Sequence, residues 1–186
     1  MLYIFIFIWV LWFLSEVLLN VFMRAKSGDT GRKDKNSMIW IWVVVSASVC
    51  LGVLAVVYLY LPISKYDVIR YAGLLVIIAG MIIRFIAIRT LGNFFTVNLA
   101  VHSDHRIIQH GLYKFIRHPS YSGLLISFIG LGLSMNNWLS LLLVVVPILL
   151  IMLHRINIEE KMLGKQFGSE YAAYRKRTWR LVPGIF

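Results

Sequence analysis

The residues whose types and spacing could do chemistry lie in two stretches. The first, His105 to Tyr121, reads HRIIQHGLYKFIRHPSY and is a polar island among apolar spans. It holds three histidines, two arginines, two tyrosines and a proline. Arg117 is a permanent cation suited to a carboxylate or phosphate. Tyr113 and Tyr121 offer aromatic faces with hydroxyl tips. Gly111 permits an unusual backbone angle or the close approach of a ligand, and Pro119 pushes His118 away from helix. The second stretch begins RINIEE at Arg155. Arg155 and Glu159 are four apart and share a helix face. Glu159 and Glu160 point about 100° apart on a helix, so they should have different partners: one a cationic ligand, the other a basic side chain.

Simpler chemistries fit less well. A metal site needs three or four oriented ligands, and the histidines at 102, 105, 110 and 118 have only Asp104 as a carboxylate among them, so no metal is expected. Ser120 and Ser122 flank the His-Pro element, but no acid-His-Ser arrangement can be read from the spacing. On residue types alone, the first stretch could equally form a basic, aromatic belt touching lipid headgroups.

The elements that must position these groups are apolar helices. Hydrophobic residues make up 60% of the 186-residue chain and charged residues 15%, well outside the roughly 25% charge of ordinary soluble domains. Segments of about 20 apolar residues recur, the length that spans a hydrocarbon core. The expected fold is an all-α integral membrane protein with about five transmembrane helices. Residues 1–23, 38–61 and roughly 68–88 are single spans. Asn136-Asn137 splits residues 122–153 into a helical hairpin, and Pro147 should kink its second arm. Residues 1–89 are expected to form the N-terminal helices and 90–186 the part that carries both polar stretches, in a single integrated domain. The segment FFTVNLAV, 94–101, reads as extended loop. Gly168 should stop the amphipathic tail helix, with Ser169 capping a short second one.

The net charge of +11 would suggest nucleic acid in a soluble protein. Here the basic residues cluster in loops and tail, and the positive-inside rule and anionic lipid account for them; no nucleic-acid partner is expected. Five spans put seventeen of the nineteen lysines and arginines on the cytoplasmic side, leaving only Lys65 and Arg70 opposite. The central stretch and the charged tail then share one side. Glu16, Arg84 and Arg89 are charged within or near spans: Glu16 should face the bundle or sit near an interface, and the two arginines could snorkel to headgroups. The lone Cys50 lies in an apolar run and excludes an intrachain disulfide.

YKFIRHPSYSG at 113–123, a hydrophobic hairpin, Glu159-Glu160, FGSEYAAYRKR at 167–177 and the ending RLVPGIF together resemble the isoprenylcysteine carboxyl methyltransferase family, in the broad sense that includes phospholipid methyltransferases. The resemblance covers about the last hundred residues. It implies a membrane methyltransferase using S-adenosylmethionine, held in a cytoplasm-facing pocket made by the 90–120 segment and the C-terminal helices. Carried onto this sequence, the cofactor positions are Asn98, His105, Arg106, Ile107, Ile108, Tyr113, His118, Pro119, Ser120, Tyr121 and Glu159. Arg155 falls where the family has a substrate-associated arginine, and Arg117 could assist at the reacting group. Asn157 and Ile158 depart from the acidic run of the eukaryotic members, which leaves less redundancy about which carboxylate binds.

The acceptor implied is a prenylated cysteine carboxylate or another lipophilic small molecule, with membrane lipids as neighbours. Two other readings remain on the sequence alone. One is a membrane reductase of related architecture using NADPH. The other is a non-catalytic module whose basic stretches bind lipid or a partner.

Overall fold

The computed structural model describes residues 2–22, 35–92 and 107–185. They form five α-helices: α1 (Leu2–Phe22), α2 (Lys35–Tyr58), α3 (Val68–Leu91), α4 (Pro119–Ser134) and α5 (Trp138–Arg177). A single 3-10 turn, Gly111–Lys114, precedes α4. The one non-helical pairing among the described residues is an isolated parallel bridge between Ile116 and Trp179. The fold is all-α, as expected. The segment 94–101 lies outside the described residues.

Among the described residues, three helices are long and apolar enough to cross a membrane: Ile39–Tyr58, Val68–Leu91 and Trp138–Arg177. Tyr3–Leu19 and Pro119–Ser134 are shorter apolar helices. α5 has 40 residues and rises about 60 Å, roughly twice the ~30 Å hydrocarbon core. Its charged half, from His154 onward, therefore lies outside that core. α5 runs through Pro147 and leaves helical backbone angles only at Gly168, where φ is 50°. Glycine tolerates this conformation without a Cβ clash, and the chain restarts as a second helical segment.

The tightest seam joins α3 and α4, and it is built from small residues at seven-residue spacing. A Cβ at Gly80 would lie 2.4 Å from Ser127 Oγ and 2.6 Å from Gly123 O. One at Gly130 would lie 2.6 Å from both Gly73 O and Ile77 N. The two backbones touch, the packing that small residues permit where lipid offers no hydrophobic drive to association. Gly130→Ala must therefore push backbone apart. It is expected to cost about 1–3 kcal/mol, read as a lower melting temperature in detergent.

Around the seam lies one apolar core: Ile77, Phe128, Leu131, Val144 and Ile148, with Trp12 of α1 edge-on to Phe128 at 4.8 Å. α2 meets α5 where the buried Ser140 hydroxyl donates to Gly52 O at 2.7 Å. The Asn-Asn break does more than end a helix. Asn136, at φ 50°, exchanges hydrogen bonds with Ser64 backbone N and O at 3.0 and 2.9 Å. Asn137 caps α5 by accepting from Ser140 N and donates to Leu59 O. The α4–α5 hairpin is thus clasped to the α2–α3 connection at one end of the bundle, and the polar stretches lie at the other.

One expectation is overturned. Arg84 does not snorkel outward; it is 8% exposed. Its guanidinium pairs with Glu16 of α1 through two contacts, at 2.7 and 2.8 Å. It also donates to Ser120 O at 3.1 Å and Ser120 Oγ at 3.0 Å. A buried carboxylate within reach outcompetes the headgroups, because leaving either charge unpaired at this depth is costly. Glu16 faces the bundle, as expected.

Candidate functional site

The site is assembled where the start of α4 meets the charged half of α5. Pro119 occupies the first turn of α4, where its missing N–H costs nothing. His118, at φ −124° and ψ 56°, is outside the helical region before it, and Arg117 and His118 pair by backbone with the stretch that follows α5. Arg117 N donates to Trp179 O at 2.8 Å, His118 N to Arg180 O at 3.2 Å, and Trp179 N to Phe115 O at 2.9 Å. Ser122 Oγ closes the strap by donating to Leu181 O at 2.6 Å. Gly111, at φ 60°, sets the entry to this segment.

Glu160 is the hub. Only 8% exposed, it accepts from Arg117 Nε at 3.0 Å and pairs with Arg180 Nη2 at 3.0 Å. His118 Nε2 lies 3.3 Å from it. An ionised carboxylate can only accept, so this nitrogen carries its hydrogen. Burial opposes the charge of Glu160, but the His118 hydrogen bond and charge, the Arg117 hydrogen bond and the Arg180 charge outweigh it. They hold the carboxyl at about 2. Arg117 also donates through Nη1 to the carbonyls of Arg175, at 3.1 Å, and Thr178.

Glu159 meets this cluster only at its edge, through His118. Its side chain is 31% exposed and lies 3.8 Å from His118 Nδ1. One turn earlier, Arg155 is 4% exposed and donates through Nε to Tyr121 Oη at 3.0 Å. Glu159 also hydrogen-bonds Tyr121. The neighbouring glutamates therefore do have different surroundings, one saturated by basic side chains and one partly open. Tyr113 is buried against Ala87 and Ile108, and its carbonyl accepts from Tyr174 Oη at 2.7 Å. Burial pushes Tyr174 up to about 12 and raises Tyr113 and Tyr171 further, helped by the Glu159 charge at Tyr113 and by the Glu160 and Glu159 charges at Tyr171. These phenols remain neutral proton donors.

Of the residues singled out from sequence, His118, Tyr121, Arg155 and Glu159 come together. Ile108 and Tyr113 form an apolar wall nearby, and Ile107 is half-buried. Ser120 is turned toward Arg84, and Pro119 is fully buried. Asn98, His105 and Arg106 lie outside the described residues. Sequence reasoning did not place Arg180, Thr178 and Tyr174, nor the Glu16–Arg84 pair. The pair had a usable signal: two opposite charges in separate apolar spans, each costly toward lipid. The strap partners had none, since a parallel backbone pairing across some sixty residues leaves no local pattern.

The comparisons with known proteins bear on the same elements. The sequence model of the isoprenylcysteine carboxyl methyltransferase family matches residues 73–165, half of the chain. A probable protein-S-isoprenylcysteine O-methyltransferase of Oryza sativa subsp. indica is 34% identical over 129 residues, covering 68% of each chain. The protein-S-isoprenylcysteine O-methyltransferase of Saccharomyces cerevisiae is 36% identical over 115 residues, 61% of this chain and 48% of its own. The solved structure of the eukaryotic intramembrane Ras methyltransferase, isoprenylcysteine carboxyl methyltransferase, superposes with a TM-score of 0.57 at 28% identity. That match covers 82% of this chain and 53% of the solved one, so the chain spans about half the length of that relative.

Proposed function

Because the chain belongs to the isoprenylcysteine carboxyl methyltransferase family, we propose that it moves a methyl group from S-adenosylmethionine to a lipophilic acceptor. The acceptor is the α-carboxylate of a prenylated cysteine or a lipid-like molecule of similar chemistry. The observation that supports this best is the arrangement on α5. A buried arginine, Arg155, is held by Tyr121 one turn before a partly open carboxylate, Glu159.

The residues present suit such a donor. Its ammonium group calls for a carboxylate, and Glu159 is the member of the pair not saturated by basic side chains. Its adenine calls for an apolar and aromatic surface of the kind Ile108 and Tyr113 form. When bound, the donor supplies an activated methyl on a sulfonium. Everything else is alignment by this chain. Arg155 orients the acceptor carboxylate, which is already nucleophilic when ionised and needs no general base. Tyr121 fixes the Arg155 guanidinium. His118 holds its Nε2 hydrogen on Glu160, which keeps the α4 start docked on α5. Arg117, committed to Glu160, Arg175 and Thr178, secures the strap from this position. The acceptor's hydrocarbon tail stays in the bilayer while its carboxylate meets Arg155, and by charge distribution the site faces the cytoplasm.

The test is methyl transfer from labelled S-adenosylmethionine to a farnesylcysteine analogue and to total lipid extract, with the protein in lipid nanodiscs. Calorimetry with S-adenosylmethionine and with NADPH runs beside it. Transfer to the farnesylcysteine analogue supports the reading; binding of NADPH and not of S-adenosylmethionine would sink it. Glu159→Ala is expected to weaken donor binding roughly fiftyfold, the scale of a lost charged hydrogen bond, with little change in melting temperature because the side chain is partly exposed.

A further inference from the structure

Tyr171 is a buried phenol whose hydroxyl is itself buried and has no hydrogen-bond partner among the described residues. It is 2% exposed and follows the Gly168 break, which turns the second segment of α5 back toward the site. Its ring edge packs over Gly164, where a Cβ would stand 4.0 Å from Cδ1, and lies 6.2 Å from Tyr174. The charges of Glu160, Glu159, Arg117 and Arg175 all reach its hydroxyl. Tyr174, three residues on, meets the fate expected of a buried phenol: its hydroxyl donates to Tyr113 O. A buried hydroxyl left unpaired costs stability, and native structures keep such groups for a reason.

We propose that Tyr171 Oη–H donates a hydrogen bond to the amino-acid carboxylate of the bound methyl donor. This rests on the donor-binding role given above to Glu159. The donor's ammonium and carboxylate share one carbon, so a ligand whose ammonium meets Glu159 brings its carboxylate within the same neighbourhood. A neutral phenol is suited to that carboxylate. The nearby Arg117 is already committed to Glu160 and to backbone carbonyls, and a free ammonium or guanidinium there would compete with the ligand for Glu159. Tyr171 thus recognises the acid end of the donor while Glu159 recognises the amine end, and no bond is made or broken at the phenol.

The experiment compares Tyr171→Phe with the wild-type protein by calorimetry in nanodiscs, using S-adenosylmethionine and its decarboxylated counterpart. The variant is expected to lose about tenfold in affinity for S-adenosylmethionine, the worth of a hydrogen bond to a charged group. It should bind the decarboxylated compound as the wild type does. Its ligand-free melting temperature should be unchanged or higher, since the substitution removes an unpaired buried hydroxyl. Equal weakening toward both compounds, weakening toward neither, or a lower ligand-free melting temperature would overturn the assignment. If the wild-type protein binds neither compound, the donor-site reading itself fails, and this inference with it.

Discussion

Arg155→Ala is expected to lower kcat/KM for a farnesylcysteine acceptor roughly a thousandfold, the scale of truncating one partner of a buried charge pair. S-adenosylmethionine affinity should stay within a few-fold of wild type. The asymmetry is the informative part. Arg155 is 4% exposed, and its Nε is held on Tyr121 Oη, so its charge is fixed in place before any acceptor arrives. A carboxylate meeting a pre-positioned guanidinium needs little reorganisation, and that advantage disappears on truncation. Arg155→Lys should recover only part of the rate, because an ammonium on a flexible stem cannot reproduce the planar fork. Labelled methyl transfer at saturating donor, with calorimetry of donor binding, checks both halves. A variant that loses donor affinity and rate together would place Arg155 on the donor instead.

Glu160→Ala should act on the fold before it acts on the reaction. It strands Arg117, His118 and Arg180 around one buried position. Removing one member of such a cluster costs about 3–5 kcal/mol, and thermal unfolding in detergent should show it plainly. The pH dependence follows in sign. The carboxyl falls from its ordinary 4.5 to about 2 in the folded protein. Its contribution is therefore fully present above about 4.5 and is lost as pH falls toward about 2. Glu160→Gln should be less stable than wild type at neutral pH, and the gap should narrow on acidification through that window. Two adjacent glutamates are thus expected to fail differently: Glu159→Ala in donor binding with the fold intact, Glu160→Ala in the fold.

Much of this layout was legible in the residues. The Asn136-Asn137 break and the Gly168 stop follow from local backbone preference, which depends on a few neighbouring residues. The different surroundings of Glu159 and Glu160 follow from helical geometry, since adjacent positions cannot share a face. The family resemblance, carried by RHPSYSG and the glutamate pair, agrees with the family matched over residues 73–165. Arg84 shows where local reading ends. Near a helix end, an arginine can reach headgroups or a buried carboxylate, and the choice depended on Glu16, sixty-eight residues away. Arg180 is similar: nothing around RLVPGIF indicates a partner on α5, because the pairing arises from the strap's register against residues 115–118. The α3–α4 seam lay between these cases. Its glycines were visible, but which of them met backbone and which met open space depended on the helix crossing.

The strap also orders events during synthesis. Residues 178–181 hydrogen-bond to residues 115–118 and 122, yet the ribosome makes both hairpin helices between them. A nascent chain that has produced His118, Tyr121, Arg155 and Glu159 still lacks Arg180 on Glu160 and the backbone pairing that fixes residues 115–118. α4 and α5 must pack together, with their two polar ends on one side, before that last pairing can form. A chain inserted with either helix inverted would place the strap across the bilayer from its partner residues, and the site would stay open. Assembly of the site thereby reports on membrane insertion.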